Sequence, residues 1–391
     1  MKIIVTGGAG FVGSTLCLQL KEKYPSYEIV AFDNLKRRGS ELNLIDFQKN
    51  GINFIHGDIR NNEDLQSLGN FDVLIEASAE PSVTAGLDSD PTYVINNNLY
   101  GSINCFNACV KNKAKLIFLS TSRVYPIDTI EKAFFEEKDT KFLFTEDQAF
   151  KGITSKGVSE ELSLEGARSF YGTTKLSSEL FIHEYAAFYG LKAAVTRFGV
   201  IAGPRQMGKT DQGVVTLWMA KHYWKQSLKY IGYGGKGKQV RDLLHVDDLV
   251  ELIDYQIHDI EKFIGKVYNV GGGLQNSASL QEMTAICEKI TGNSIQIDEV
   301  AERISQLGEK TIGTMKEFIE NSTLKESPKE YASQKHMLEE LLENHEQLVT
   351  EFRDYIPVFE NETNDAGSAD FVTGLLQEHE KMAWVLRRYQ V

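Results

Sequence analysis

The stretch that decides the fold is MKIIVTGGAGFVGSTL, residues 1–16. An apolar run leads there directly into the motif Gly7-x-x-Gly10-x-x-Gly13, and a helical pattern follows. Glycines at this spacing let the backbone turn tightly and approach a pyrophosphate, whose charge then lies against the amides of a helix N-terminus. Asp33 follows 20 residues after Gly13, where a carboxylate can accept hydrogen bonds from ribose hydroxyls and repel a 2′-phosphate. The stretch predicts a dinucleotide-binding βαβ unit and favours NAD over NADP.

Apolar runs alternate with helical patterns from this stretch to residue 198. The runs are KIIV, EIVAF, NFIHG, FDVLIEA, KLIFLS and KAAVTRF. Alternation of this kind builds parallel βαβ units, because each parallel connection must cross over the sheet. The sequence therefore predicts an α/β fold with a Rossmann-like, doubly wound parallel sheet.

The last quarter of the chain has a different composition. Residues 297–391 carry 20 acidic and 10 basic side chains, and this segment supplies most of the formal net charge of −13. It shows no strand-like run, and apolar residues such as Leu341, Leu348, Phe371 and Leu375 recur at helical spacing. We expect a domain boundary between residues 296 and 297, with an all-α segment after it.

Composition also limits the partners. With 42% apolar residues the chain can build a core, and no run approaches the ~18 apolar residues that a membrane span needs. The N-terminal residues lack signal-peptide features, and the four cysteines show no metal or disulfide spacing. A charge of −13 repels nucleic acid. We expect a cytoplasmic protein with neither a membrane nor a nucleic acid partner.

A second motif carries chemistry. Tyr171 and Lys175 in RSFYGTTK are one helical turn apart, and Thr121 ends the run KLIFLS. An ammonium on the same helix face lowers the pKa of a phenol from its usual ~10. A phenolate beside a nicotinamide can take the proton of a sugar hydroxyl while the ring accepts the hydride from the same carbon. The pattern predicts an NAD-dependent oxidation of an alcohol.

Together these motifs resemble the extended short-chain dehydrogenase/reductase family over residues 1–296. Longer stretches resemble the CDP-paratose 2-epimerases (CDP-tyvelose epimerases) of that family: FDNLKRRGSELNL, HGDIRN, PSVTAGLDSDPTYVINNNLYGS, LSTSRVYPI, RSFYGTTKLSSEL, GVIAGPRQMGKTDQGVVTLWMA and GGKGKQVRDLLHVDDLV. The resemblance implies a nucleotide-sugar epimerase that inverts C2 of a CDP-linked dideoxyhexose through transient oxidation to a 2-keto sugar. It also implies an interleaved substrate domain, drawn mainly from residues 199–296.

The same resemblance assigns roles to single residues. Thr121 would bond the substrate oxygen, Tyr171 would act as the base, and Lys175 would hold Tyr171 and the nicotinamide ribose. The implied cofactor site consists of Gly7, Gly10, Phe11, Val12, Gly13, Asp33, Asn34, Asp58, Ile59, Ala77, Asn98 and Lys175. The implied substrate contacts are Ser122, Gln206, Gln212 and Arg241.

The resemblance ends near residue 296. The epimerases continue with an arginine and an acid that close over the nucleotide diphosphate, and this chain lacks that segment. Instead, DEVAERISQLG, GTMKEFIENSTLKESP, MLEELLENHEQLVTEFRD and GSADFVTGLLQEHEKMAWVLRRY resemble the C-terminal part of the DNA-protecting mini-ferritins of starved cells. We therefore expect residues 297–391 to form a partial, ferritin-like helical bundle.

Mini-ferritins oxidise iron, and Asp298 and Glu302 match their acid pair, four residues apart on one helix. The histidine ligands of that family lie on helices that this chain lacks. His336, His345 and His379 fall at positions that do not match them. The sequence favours a solvated or salt-bridged acid pair over an iron site at Asp298 and Glu302.

Three functions stay open at this point. The first is an NAD-dependent nucleotide-sugar epimerase. The second is an NAD-binding fusion protein that is catalytically impaired because the closing segment is absent. The third is a mini-ferritin-like module that binds iron or assembles subunits. Apolar faces on the C-terminal helices favour a homo-oligomer.

Overall fold

Parallel strands form the central sheet of the computed structural model, which describes residues 1–87, 90–208, 213–232, 235–298, 322–323, 333–362 and 365–388. The strands are β1 Lys2–Thr6, β2 Glu28–Asp33, β3 Asn53–His56, β4 Val73–Glu76, β5 Lys115–Thr121, β6 Phe135–Glu137, β7 Phe142–Phe144, β8 Ile153–Thr154, β9 Gly157–Val158, β10 Ala193–Phe198, β11 Val200–Ala202, β12 Leu228–Lys229, β13 Val240–His245, β14 Val267–Val270, β15 Ser277–Ser279 and β16 Ile297–Asp298. The α-helices are α1 Phe11–Lys23, α2 Leu44–Lys49, α3 Asn62–Gln66, α4 Thr92–Ile95, α5 Gly101–Asn112, α6 Ile127–Glu131, α7 Phe170–Tyr189, α8 Val214–Tyr223, α9 Val246–His258, α10 Leu280–Thr291, α11 Gln334–Pro357 and α12 Ala366–Arg388.

The strand order of the seven-stranded sheet is β14-β10-β5-β4-β1-β2-β3. Every pairing within it is parallel. The chain therefore builds outward from β1 in both directions, and such a switch point opens a crevice outside the carboxyl ends of the strands. The register places Thr6 of β1 beside Glu76 of β4, and Glu76 beside Phe118 of β5.

Both faces of the sheet are covered. Ile3, Val5 and Ile75 join a buried core with residues of α1 and α9, and Ile4 and Leu74 join a second core with residues of α5 and α7. Because neither face meets water, these strands are apolar at successive positions rather than alternating. The predicted Rossmann-like, doubly wound sheet is confirmed.

A smaller sheet of β11, β13 and β15 follows β10 after Gly199. Helices α8 and α10 pack on each other and share an apolar cluster that contains Trp218, Leu280 and Met283. Two hairpins, β6–β7 and β8–β9, lie between β5 and α7 in the chain. Of these elements, the small sheet and the two hairpins supply walls to the crevice of the large sheet.

The structure differs from the sequence interpretation at the start of the C-terminal segment. Residues 297–298 form β16, which pairs in parallel with β12, Leu228–Lys229. Ile295 and Ile297 pack against the cluster around Trp218, and this burial holds the segment extended. Accordingly, the chain divides into one unit of residues 1–298 and a second of residues 299–391.

The second unit contains α11 and α12, which pack against each other along their length. Ion pairs join Arg353 to Glu380 and Arg387 to Glu346, so the helices are antiparallel. Their shared seam buries Leu342, Val349, Ala369 and Ala383. The predicted helical character of the C-terminal segment is confirmed. None of the described helices is long and apolar enough to cross a bilayer.

Candidate active site

A cleft of about 1410 Å³ lies at the carboxyl edge of the large sheet. Its walls come from the glycine loop after β1, the ends of β4 and β5, the start of α7, the β11–β13 sheet and the two inserted hairpins. A single small ligand usually occupies about 300–1,000 Å³. The cleft therefore has room for a dinucleotide and a second ligand together.

The glycine loop has the geometry of a phosphate cradle. Gly7 adopts φ +64°, and a Cβ atom on it would lie 2.8 Å from the carbonyl oxygen of Ala77. A Cβ atom on Gly13 would lie 2.1 Å from the carbonyl oxygen of Gly7. Gly10 caps α1 with no side-chain hydrogen bond, so the first amides of the helix meet the cleft directly. The loop fits the pyrophosphate of a dinucleotide.

The acid at the end of β2 is held in place by the loop. Asp33 accepts hydrogen bonds from the backbone N–H groups of Ala9 (3.1 Å) and Leu35 (2.8 Å). Burial raises the pKa of Asp33, and these backbone bonds oppose the rise. The neighbouring Asn34 donates to Asp58 at 2.9 Å, and the Arg60 guanidinium holds the pKa of Asp58 at about 2. Asp33 and Asn34 line the cleft where a ribose would be recognised.

Tyr171 lies in the first turn of α7 beside Thr121, the last residue of β5. A Cβ atom on Gly172 would be 2.1 Å from the carbonyl oxygen of Arg123, so only glycine lets α7 approach the segment after β5 this closely. Burial raises the pKa of Tyr171, while a hydrogen bond from the Thr121 hydroxyl and the charge of Arg123 lower it. Both Tyr171 and Thr121 line the cleft.

Lys175 follows Tyr171 by one helical turn but does not line the cleft. Its side chain is 2% exposed, and its Nζ lies 3.8 Å from Oε1 of Glu76, which is itself fully buried. The same Nζ lies 4.5 Å from the ring centroid of Phe118. Lys175 is thus a buried ammonium behind the wall that Tyr171 forms.

The other residues that the family resemblance implied divide into those that line the cleft and those that do not. Of the residues in that implied set, those that line the cleft are Gly7, Gly10, Phe11, Val12, Gly13, Asp33, Asn34, Ile59, Ala77, Ser122, Gln206 and Arg241. Asp58 and Asn98 lie behind that lining, and Asn98 bonds both backbone groups of Glu80, accepting at 2.7 Å and donating at 3.0 Å. Gln206 is fixed between Ile201 and Thr216. Gln212 lies outside the described residues.

Sequence reasoning missed a buried ion pair in the cleft wall. Arg197 of β10 lines the cleft and bonds Glu179 of α7, with Nη2 2.6 Å from Oε2. Arg197 also donates to the Tyr125 hydroxyl at 3.1 Å, and Tyr125 donates to Asn269 at 2.9 Å. The sequence contained two features that could have predicted this pair. Glu179 is one turn beyond Lys175 on the same face of α7, and Arg197 interrupts an apolar strand.

The predicted acid pair of the C-terminal segment is only partly described. Asp298 ends β16 in the first unit, and Glu302 lies outside the described residues. Two histidines that the sequence set aside do meet, because Nδ1 of His345 lies 2.9 Å from Nδ1 of His379. Burial, followed by the nearby His379, lowers the pKa of His345. The described residues contain no group of three or more potential metal ligands.

Comparison with known proteins identifies the family. The model of the NAD dependent epimerase/dehydratase family matches residues 3–271. The chain belongs to this family. CDP-paratose 2-epimerase of Salmonella typhi is 30% identical over 296 residues, which cover 74% of this chain and 84% of that protein. The structure of UDP-glucuronic acid 4-epimerase from Bacillus cereus, in complex with UDP-glucuronic acid and NAD, matches with a TM-score of 0.60 at 28% identity, covering 76% of this chain and 85% of that one.

The C-terminal segment matches a different family. The model of the ferritin-like domain matches residues 285–390. An uncharacterized low temperature-induced protein of Nostoc sp. is 43% identical over 102 residues, which cover 26% of this chain and 55% of that protein. The fusion of an epimerase body with a ferritin-like segment, inferred from sequence, is confirmed.

Proposed function

We propose that residues 1–298 form an NAD-dependent epimerase that inverts C2 of a CDP-linked dideoxyhexose. The observation that carries this proposal is that Tyr171 and Thr121 line the same cleft as the glycine loop. A phenol that is half-buried and open to a shared cleft can exchange a proton with a sugar hydroxyl there. The choice of CDP and of C2 follows the similarity to CDP-paratose 2-epimerase.

Separate groups of residues in this chain would bind the cofactor and transfer the proton. The glycine loop holds the pyrophosphate of NAD, and Asp33 and Asn34 hold the adenosine ribose. Tyr171 takes the proton of the C2 hydroxyl, and Thr121 donates a hydrogen bond to the same substrate oxygen. The chemistry that bound NAD supplies is the reversible acceptance of a hydride from C2. Tyr171 would return its proton to the same oxygen once the configuration at C2 has been inverted.

The geometry of the substrate end supports a nucleotide-linked sugar. Arg241 at the start of β13, Gln206 and Ser122 line one continuous cleft with Tyr171. A guanidinium is suited to a diphosphate, because it offers several N–H donors in a fixed plane. We propose that Arg241 and Gln206 bind the nucleotide and that Ser122 contacts the sugar beside Thr121.

The test is incubation of the full chain with CDP-paratose and NAD, followed by chromatography of the sugar. Formation of the C2 epimer, absent from Tyr171→Phe, supports the proposal. Product formed in deuterated water should carry no deuterium at C2, and stoichiometric incorporation would instead indicate an acid–base epimerisation. Bound NAD without conversion would favour the impaired fusion protein. Conversion of UDP-glucose but not of CDP-paratose would show that the substrate is that of a different activity within the family.

For residues 299–391 we propose a role in self-association. Large apolar side chains on α11 and α12 are exposed within this unit, among them Met337, Leu341, Met382 and Trp384. Large apolar side chains that lie exposed together on neighbouring helices are typical of a surface that another molecule covers. A second copy of the chain offers the same faces and can cover them.

A further inference from the structure

A buried carboxylate lies behind the cleft wall, at the switch point of the large sheet. Glu76 ends β4, is fully buried, and accepts a hydrogen bond from the Ser102 hydroxyl of α5 at 2.9 Å. Its second oxygen, Oε2, has no hydrogen-bond partner among the described residues. The one basic side chain of the described residues within ion-pair distance is Lys175, at 3.8 Å.

Among the described side chains that surround Glu76, only Lys175 carries an opposite charge. Helix α5 presents the thiols of Cys105 and Cys109, whose pKa values are raised by burial and then by Glu76 itself, so both stay neutral. Helix α7 presents Lys175 and the phenol of Tyr171. The adjacent strands β1 and β5 contribute only Thr6 and Phe118 at this level. A fully buried carboxylate lowers the free energy of unfolding, because the ion loses its hydration when the protein folds.

We propose that Glu76 is a positioning residue for Lys175, supplying the counter-charge that keeps its buried ammonium protonated and fixed one helical turn from Tyr171. A buried lysine without an opposite charge loses its proton readily. A neutral Lys175 cannot bind a ribose hydroxyl as a charged donor. Glu76 does not itself favour the phenolate of Tyr171, because its charge adds to the burial that raises the pKa of that phenol. Glu76 therefore acts through Lys175, and this inference rests on the proposed NAD site together with the family resemblance, which implies that Lys175 holds the nicotinamide ribose.

The pair also gives the site a pH dependence. Burial raises the pKa of Glu76 to about 7, with the Lys175 ammonium and the Ser102 hydrogen bond opposing the rise. Below that pH the carboxyl gains a proton and Lys175 loses its counter-charge. We expect NAD to bind more tightly at pH 8 than at pH 6 for this reason.

The test measures the dissociation constant of NAD for the full chain by calorimetry at pH 6 and pH 8. Glu76→Gln keeps the shape and can still accept from Ser102, but it removes the charge. We expect it to weaken binding at pH 8 by about tenfold to a hundredfold and to remove the difference between the two pH values. Glu76→Asp, which keeps a carboxylate, should restore the difference.

Two further variants separate positioning from general support of the fold. Ser102→Ala removes the hydrogen bond and keeps the ion pair, so NAD binding should stay within about twofold of wild type. In a Lys175→Met background, Glu76→Gln should have no further effect on NAD binding. Equal losses in Glu76→Gln and Ser102→Ala, or a full additional loss in the double variant, would overturn the proposal. Failure to convert CDP-paratose would leave these binding comparisons intact and would count against the proposed function alone.

Discussion

The buried pair of Glu179 and Arg197 should be among the costliest ion pairs to break in the described residues of the α/β unit. Arg197 cannot release its proton at any physiological pH, and its side chain is only 6% exposed. Burial lowers the pKa of Arg197, but hydrogen bonds and charge from Glu179 raise it by more. Glu179→Gln removes the negative charge and turns an N–H₂ group toward the guanidinium or toward the hydroxyl of Ser120, which now donates to Glu179 at 2.5 Å.

The magnitude follows from the contacts that are lost. The guanidinium bonds Glu179 through Nε at 3.1 Å to both oxygens and through Nη2 at 2.6 Å. Removing one partner of such a pair leaves a buried charge uncompensated, which costs about 3–5 kcal/mol of the free energy of unfolding. For a unit of 298 residues this corresponds to a fall in Tm of about 5–8 °C.

Scanning calorimetry of the full chain measures this fall, since it separates the transitions of the two units. The matched control is Glu261→Gln, which breaks an exposed pair with Lys192 whose side chains are 67% and 55% exposed. Exposed pairs contribute less than about 1 kcal/mol, so this control should shift Tm by less than about 2 °C. If Glu179→Gln behaves like Glu261→Gln, the reasoning about the buried pair is wrong.

Four further outcomes are expected. Tyr171→Phe should lower turnover about 10²–10⁴-fold while the NAD dissociation constant stays within about twofold; turnover within a few fold of wild type would make Tyr171 structural. Gly13→Ala places a Cβ atom 2.1 Å from the oxygen of Gly7 and should abolish NAD binding in calorimetry. Since the folded-state pKa of Glu76 is raised from 4.5 to about 7, its contribution to stability is complete below pH 4.5 and is lost as pH rises through about 7. Urea unfolding should therefore show about 3 kcal/mol less stability at pH 8 than at pH 4.5 from this group, a loss that Glu76→Gln does not show. In light scattering, the full chain should have the mass of more than one copy, whereas a chain ending at Asp298 should have the mass of one copy, because self-association is lost. Monomeric masses for both chains would refute the proposed role of residues 299–391.

Local features of the sequence determined the succession of strands and helices along the chain and the motifs that lie at the cleft. A strand buried on both faces needs a continuous apolar run, and a pyrophosphate loop needs glycine where a Cβ atom would collide. Both constraints act within a few residues, so the sequence could predict that Gly7, Gly13 and Asp33 lie together, and the structure places all three in the lining of the cleft. Tyr171 and Lys175 share a helix face for the same local reason.

Only the tertiary structure decided which side chains meet across the sheet. Glu76 and Lys175 are far apart in sequence and meet because β4 and α7 pack at the switch point. That packing buries Lys175 behind the cleft wall, where helical spacing alone had placed it beside Tyr171 in the site. His345 and His379 meet through the pairing of α11 with α12, which the sequence did not predict. Sequence periodicity specifies the faces of helices and strands, whereas the burial and pairing of charges depend on which faces pack together, and that is fixed by contacts between distant segments.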